Sequence, residues 1–162
     1  MDAALTRDTL GRLLAEENAG LSEFASLLDK EYGALRSRDI DALEALADAR
    51  QASVVKLLKI EEERRGLCTM LGYESDLTGL ARLIAWCDPA RSLAKPYQEC
   101  ATRARDCREL NIRNGVLVGA QIKRVEGLLG AMTGASTEPR AYGPRGQTNP
   151  YAASGKVLSA EA

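Results

Sequence analysis

The stretch LGRLLAEENAGLSEFASLLDKEYGAL, residues 10–35, repeats a leucine every seven residues. An apolar row with this period follows one face of an α-helix, while the polar residues between the leucines face elsewhere. Glu17 and Glu31 fall on the second row, so the stripe is imperfect. The pattern predicts a first helix over residues 6–37, roughly 45 Å long at 1.5 Å per residue, which must bury its stripe against partner helices. The stripe consists of Leu10, Leu14, Leu21, Phe24, Leu28 and Leu35.

Two more long helices and a short one are predicted downstream. Asp41 followed by Glu44 forms a capping box at the start of the second helix, and Gly72 is a suitable C-terminal cap. A short apolar helix is expected over residues 76–86, and a third long helix from residue 96, or from 89 with a kink, to 132. We therefore predict an all-α fold: an antiparallel bundle or coiled coil of three long helices with a short extra helix and a flexible C-terminal tail.

The composition changes sharply in the last thirty residues. Residues 133–162 contain four glycines and three prolines and few large apolar side chains. Such a segment does not bury enough apolar surface to fold, so we expect it to be disordered or extended. The predicted organisation is a helical domain over residues 1–132 and a tail over 133–162.

Charge and residue content exclude several classes of function. The chain has 22 basic and 23 acidic residues, for a net charge of −1, so neither nucleic acid nor a membrane surface is an expected partner. It has no histidine, which is the commonest general base and metal ligand, and no glycine-rich phosphate loop. We expect no enzyme activity, no catalytic residue, no cofactor and no metal. Charged residues interrupt the amino terminus and apolar runs are short, which predicts a soluble cytoplasmic protein without a membrane span.

The four cysteines lack the paired spacing of zinc or redox motifs. We interpret them as reduced, small apolar core residues in a reducing compartment. The alternative is a small metal or redox protein whose cysteines converge from separate helices. The four are Cys68, Cys87, Cys100 and Cys107.

The segment Asn111-Ile112-Arg113-Asn114-Gly115 is unusual inside a helix, because asparagine and glycine both weaken helix propensity. Asn114 and Gln121 also fall on the predicted apolar stripe of the third long helix. One interpretation is that a buried asparagine fixes the register of packed helices. The other is a partly polar groove whose amides hydrogen-bond an incoming helix.

A second unusual segment lies in the tail, Tyr142-Gly143-Pro144-Arg145-Gly146-Gln147-Thr148. A tyrosine in a flexible segment has no core to fill. It is either a solvated linker residue or the anchor of a short linear motif, whose ring enters a pocket on a partner.

Together these two segments resemble the FlgN family, the flagellar type III export chaperones. The resemblance rests on Asn-x-x-Asn-Gly in the last long helix, followed about 27 residues later by Tyr-Gly-x-x-Gly-Gln-Thr in a loose tail. It implies a flagellar export chaperone that binds C-terminal helical segments of the hook–filament junction proteins, FlgK and FlgL, and prevents their premature assembly. It also implies docking at the cytoplasmic domain of the export gate, FlhA.

The resemblance and the stripe together name candidate site residues. The family's docking tyrosine matches Tyr142, and an aromatic position before the Asn-Gly signature matches Tyr97, where some relatives have tryptophan. The gate-docking residues implied are Tyr142, Gly143, Gly146 and Gln147. The expected client-binding residues are Leu110, Asn111, Asn114, Gly115, Leu117, Val118, Gln121, Val125 and Leu128.

Two rival functions stay open at this point. A structural, self-associating coiled-coil protein would use the same stripes for oligomerisation. A chaperone for another type III secretion substrate would share the fold but bind different client segments.

Overall fold

The computed structural model describes residues 2–133, and the tail motif containing Tyr142 lies outside them. The described residues form four helices, α1 Ala3–Ser37, α2 Ile40–Met70, α3 Leu77–Cys87 and α4 Ala94–Thr133. The predicted all-helical class is confirmed, and the helix boundaries lie within three residues of those expected. None of these helices is long and apolar enough to span a bilayer. The described residues fall into two units, residues 2–122 and residues 123–133.

Aspartate side chains begin the first three helices. Asp2 accepts a hydrogen bond from the Leu5 N–H at 2.8 Å, and Asp76 accepts one from the Gly79 N–H at 2.8 Å. The prediction that Asp41 caps α2 is wrong, because Asp39 does so through the Ala42 N–H at 3.0 Å. Asp41 instead lies in the first turn of α2, where a carboxylate favours the positive end of the helix dipole.

The predicted end of α2 at Gly72 is confirmed. Gly72 has φ +80°, its N–H donates to the Thr69 carbonyl, and the Tyr73 N–H donates to the Cys68 carbonyl. This pair of bonds is a Schellman motif, which needs a left-handed residue and therefore favours glycine. Arg38 closes α1 in a similar left-handed conformation, with φ 57°.

Ion pairs show that α1 and α2 run in opposite directions. Residues late in α2 pair with residues early in α1, and residues early in α2 pair with residues late in α1. Most of these charges are solvent-exposed, so they indicate orientation more than they stabilise the fold. The pairs are Arg12–Glu63 at 3.6 Å, Glu23–Lys56 at 3.3 Å and Glu31–Arg50 at 2.7 Å.

All four helices contribute to one apolar cluster near the start of α1, and three of the four cysteines belong to it. Its buried residues are Leu10, Leu14, Leu67, Cys68, Leu80, Leu83, Cys87, Leu93 and Cys100. A second cluster contains Leu21, Leu28 and Cys107. All four cysteines are free and buried, as interpreted from the sequence. No group of side chains able to hold a metal ion occurs among residues 2–133.

The buried thiols are predicted to be unreactive. Burial raises the pKa of the Cys100 thiol from 9.0 to about 11, and it also raises the pKa of Cys68, Cys87 and Cys107. Only the thiolate attacks electrophiles, so two pKa units lower the reactive fraction of Cys100 about 100-fold at neutral pH. We expect maleimide to label all four thiols in guanidinium and none over the same time in the folded protein, as counted by mass spectrometry. Rapid native labelling of even one thiol would contradict this.

Candidate functional site

A ladder of hydrogen bonds joins α4 to α1. Four α4 side chains, one per heptad, donate to backbone carbonyls of the heptad leucines of α1. Each donor lies 86 residues after its acceptor, so the two helices run parallel. A helical carbonyl that already accepts an N–H has a second lone pair available for such a contact. The rungs are Cys100 to Leu14 at 3.3 Å, Cys107 to Leu21 at 3.3 Å, Asn114 to Leu28 at 2.8 Å, and Gln121 to Leu35 at 2.7 Å.

The asparagine signature forms a polar network across three helices. The Asn114 Nδ2 donates to Glu31 Oε2 at 2.7 Å, and Arg50 bonds the other Glu31 oxygen at 2.7 Å. A second Arg50 nitrogen donates to the Asn111 Oδ1 at 2.7 Å. Because Glu31, Arg50 and the asparagines belong to α1, α2 and α4 respectively, the network fixes the register of all three.

Asn114 has almost no surface left to offer a partner. Its side chain is 3% exposed, and its amide nitrogen contacts both the Leu28 carbonyl and Glu31. This geometry corresponds to the interpretation that a buried asparagine sets helix register. Glu31 is not a defect in the apolar stripe of α1, because it accepts from both Asn114 and Arg50.

Arg113, between the two asparagines, adds a further link to α1. Its guanidinium lies over the Tyr32 ring, 3.9 Å from the ring centroid, and donates to Asp29 at 2.9 Å. Stacking and pairing of this kind contribute modestly at a partly exposed site. Asn111, Arg113 and Asn114 therefore all make cross-helix contacts within residues 1–122, whereas Ile112 is exposed.

The structure divides the nine expected client-binding residues into three groups. Leu110 is half-buried against the cluster around Leu28, and Leu117 is also half-buried. Asn111, Asn114 and Gln121 bond to α1 or α2, as described above. The exposed members are Gly115, Val118, Val125 and Leu128. Whether any of the nine contacts a client stays a prediction, and the four gate-docking residues lie outside the described range.

In residues 1–122, α4 exposes apolar side chains that the sequence analysis did not select. Ile112 and Ile122 are each more than half exposed, and Val116 is 69% exposed. Residues 123–133 expose Leu129 and Met132 in addition to the expected Val125 and Leu128. One feature of the sequence could have predicted these exposed residues. The α4 segment contains more valine, leucine and isoleucine than a single buried stripe requires.

Tyr97 packs against the apolar cluster near the start of α1 and is partly buried there. Trp86, the only tryptophan, is 46% exposed on α3. Tyr97 therefore has a packing role within the chain.

Comparisons with known proteins identify the family. No curated protein and no solved structure matched the chain. The sequence model described as FlgN protein matches residues 1–150 of the 162. The match extends through all four helices and includes the tail motif around Tyr142. The chain therefore belongs to the FlgN family.

Proposed function

We propose that this chain is a flagellar export chaperone that binds the C-terminal helical segments of hook–filament junction proteins of the FlgK and FlgL type. Membership of the FlgN family supports the chaperone assignment. Holding a client's terminal helices prevents their premature assembly, and the complex is then delivered to an export gate of the FlhA type.

The observation that carries the proposal is an exposed apolar face at the end of α4. Val125, Leu128 and Met132 are 55%, 59% and 84% exposed. Their i, i+3, i+7 spacing aligns them on one side of the helix. An apolar row of this spacing is a docking surface for the apolar face of a client's amphipathic helix.

The polar network supports client binding indirectly in this proposal. Asn111 and Asn114 bond to Arg50 and Glu31, so they position α4 and do not face the client. Gly115, Leu117 and Val118 remain proposed contacts. Client affinity is expected to be moderate, because ordering a disordered segment typically costs about 2–5 kcal/mol of the gross interaction energy.

The tail is proposed to dock the loaded chaperone at the gate. Tyr142, with Gly143, Gly146 and Gln147, forms a short motif whose aromatic ring would anchor in a pocket of the gate's cytoplasmic domain. A chaperone for another secretion substrate would bind neither the FlgK-type nor the FlgL-type segment. Calorimetric titration of the full chain with both segments therefore tests the client assignment directly.

A Tyr142→Ala variant is expected to weaken binding to the gate domain at least tenfold while leaving client affinity unchanged. A buried aromatic anchor commonly contributes 2 kcal/mol or more at an interface, as an order of magnitude. Surface plasmon resonance on the immobilised gate domain measures the first quantity, and calorimetry measures the second. The matched control is Tyr151→Ala, which removes the same ring elsewhere in the tail. Equal gate affinity of the Tyr142→Ala and Tyr151→Ala variants would refute the docking role.

A further inference from the structure

The polar network around Asn114 has an equivalent set of residues two heptads away. Because α4 runs parallel to α1 and α2 runs antiparallel to it, a step back by two heptads on α1 and α4 corresponds to a step forward by two heptads on α2. These steps lead from Glu31, Arg50 and Asn114 to Glu17, Arg64 and Cys100. A glutamate on α1 and an arginine on α2 therefore recur at equivalent positions.

The structure brings these three equivalent residues close together. Cys100 donates to the Leu14 carbonyl as its own rung of the ladder. Burial raises the pKa of the Cys100 thiol, the Glu17 carboxylate also raises it, and the Arg64 guanidinium lowers it, so both charges act on the same thiol. Glu17 Oε2 and Arg64 Nε are themselves buried, and neither atom has a hydrogen-bond partner among residues 2–133.

Apolar residues occupy the heptad positions next to this charged layer on both sides. In each apolar layer, one residue from α1 packs in the same cluster as the residues at the equivalent positions downstream. The layers are Leu10 with Leu71 and Leu93 on one side, and Phe24 with Leu57 and Cys107 on the other. Charged and apolar layers therefore alternate along α1 and α2.

We propose that Glu17 and Arg64 pair with each other between α1 and α2, as Glu31 and Arg50 do, and that the two pairs restrict these helices to one alignment. One buried atom is a hydrogen-bond donor and the other is an acceptor. Pairing them, directly or through one water molecule, satisfies both. The inference concerns residues 2–122 of the free chain and does not depend on the proposed function.

A shift of α2 by one heptad in either direction would break both pairs at once. On α2 the two arginines alternate with Leu43, Leu57 and Leu71 at intervals of one heptad. Each of the two glutamates of α1 would therefore meet a leucine, and Phe24 would meet an arginine. Burying a carboxylate without a cationic partner is strongly unfavourable. Polar residues in the core of a coiled coil specify register in the same way.

Exchanging two adjacent layers tests this arrangement. The α2 exchange, Leu57→Arg with Arg64→Leu, places leucine against Glu17 and arginine against Phe24, which are the contacts that a shift would create. It should raise the unfolding equilibrium constant, measured by urea denaturation, at least about a hundredfold. Adding Glu17→Phe and Phe24→Glu exchanges the layers on both helices, and stability should recover to within about tenfold of wild type. The α4 residue is a cysteine in both layers, so it needs no change.

The matched control exchanges the next residue along α2 in each layer. Leu58 and Arg65 are exposed, so Leu58→Arg with Arg65→Leu keeps the same composition on the solvent side. It should change the unfolding constant less than about threefold. Equal destabilisation by the two α2 exchanges would overturn the inference. A four-residue variant no more stable than the α2 exchange alone would overturn it as well.

A double-mutant cycle with smaller changes measures the pair itself. Glu17→Gln and Arg64→Gln should each raise the unfolding constant at least about tenfold, and the double variant by about as much as either alone. Glu23 and Lys56 form an exposed ion pair between the same two helices, at 3.3 Å. Their glutamine variants should have small effects that combine without coupling. Coupling between Glu17 and Arg64 no larger than in this surface pair would overturn the proposed pairing.

Discussion

A Leu128→Asp variant is expected to lose affinity for the client's terminal segment by more than about a hundredfold while staying folded. Leu128 is 59% exposed, so the free protein tolerates a carboxylate at this position. In the complex the same carboxylate would be buried in an apolar interface without a partner, which costs several kcal/mol. A hundredfold loss corresponds to about 2.8 kcal/mol, so the expected effect is conservative. Calorimetric titration with the client segment measures it.

The chain provides a closely matched control for this experiment. Leu58 on α2 is 58% exposed, so Leu58→Asp makes the same chemical change on an equally exposed helical surface. We expect wild-type client affinity for this variant and thermal unfolding within a few degrees for both. Equal loss of binding in the two variants would show that a general charge effect, and not the end of α4, determines affinity. Unchanged binding by Leu128→Asp would place the client elsewhere.

The sequence predicts the elements of this fold better than their connections. The period of Leu14, Leu21, Leu28 and Leu35 identifies α1, because a seven-residue apolar repeat is a local property of the chain. The left-handed glycine that ends α2 is equally local. The sequence favours Asp41 as the cap of α2 although Asp39 occupies this position, because two aspartates two residues apart both have capping chemistry. Only the backbone geometry decides which carboxylate reaches a free N–H.

The candidate site depends on contacts that periodicity does not reveal. Glu31 looks like a flaw in the stripe of α1, since its partners Arg50 and Asn114 lie 19 and 83 residues away. Periodicity also identifies one stripe on each helix. The stripe predicted for α4 contains Asn114 and Gln121, which the structure places against α1, and it leaves out the exposed Ile112 and Val116. Sequence position alone does not distinguish an apolar residue that packs within the chain from one available to a partner.

The largest stability effect is expected from Asn114→Asp at neutral pH. The Asn114 amide nitrogen lies 2.7 Å from Glu31 Oε2 and 2.8 Å from the Leu28 carbonyl, in a site where the side chain is 3% exposed. Replacing the amide donor with a carboxylate removes both hydrogen bonds and places two like charges together. Loss of hydrogen bonds to a charged group and a buried carbonyl costs roughly 2–3 kcal/mol, and charge repulsion adds to it. Asn111→Ala, which removes one exposed contact to Arg50, is the control and should cost less than about 1 kcal/mol.

The pH dependence of the Asn114→Asp variant separates repulsion from simple loss of packing. Beside Glu31, the new carboxyl binds its proton more tightly in the folded state than in the unfolded state, where its pKa is about 3.9. The folded variant therefore holds more protons than the unfolded chain as pH rises above about 4, and its free energy of unfolding falls over that range. Urea unfolding of the variant and wild type from pH 4 to 7 should show the difference between them growing with pH. The double variant Glu31→Gln with Asn114→Asp restores one amide and one carboxylate, so it should lose most of this pH dependence. A constant difference across the range would mean that no charge contact exists between positions 31 and 114.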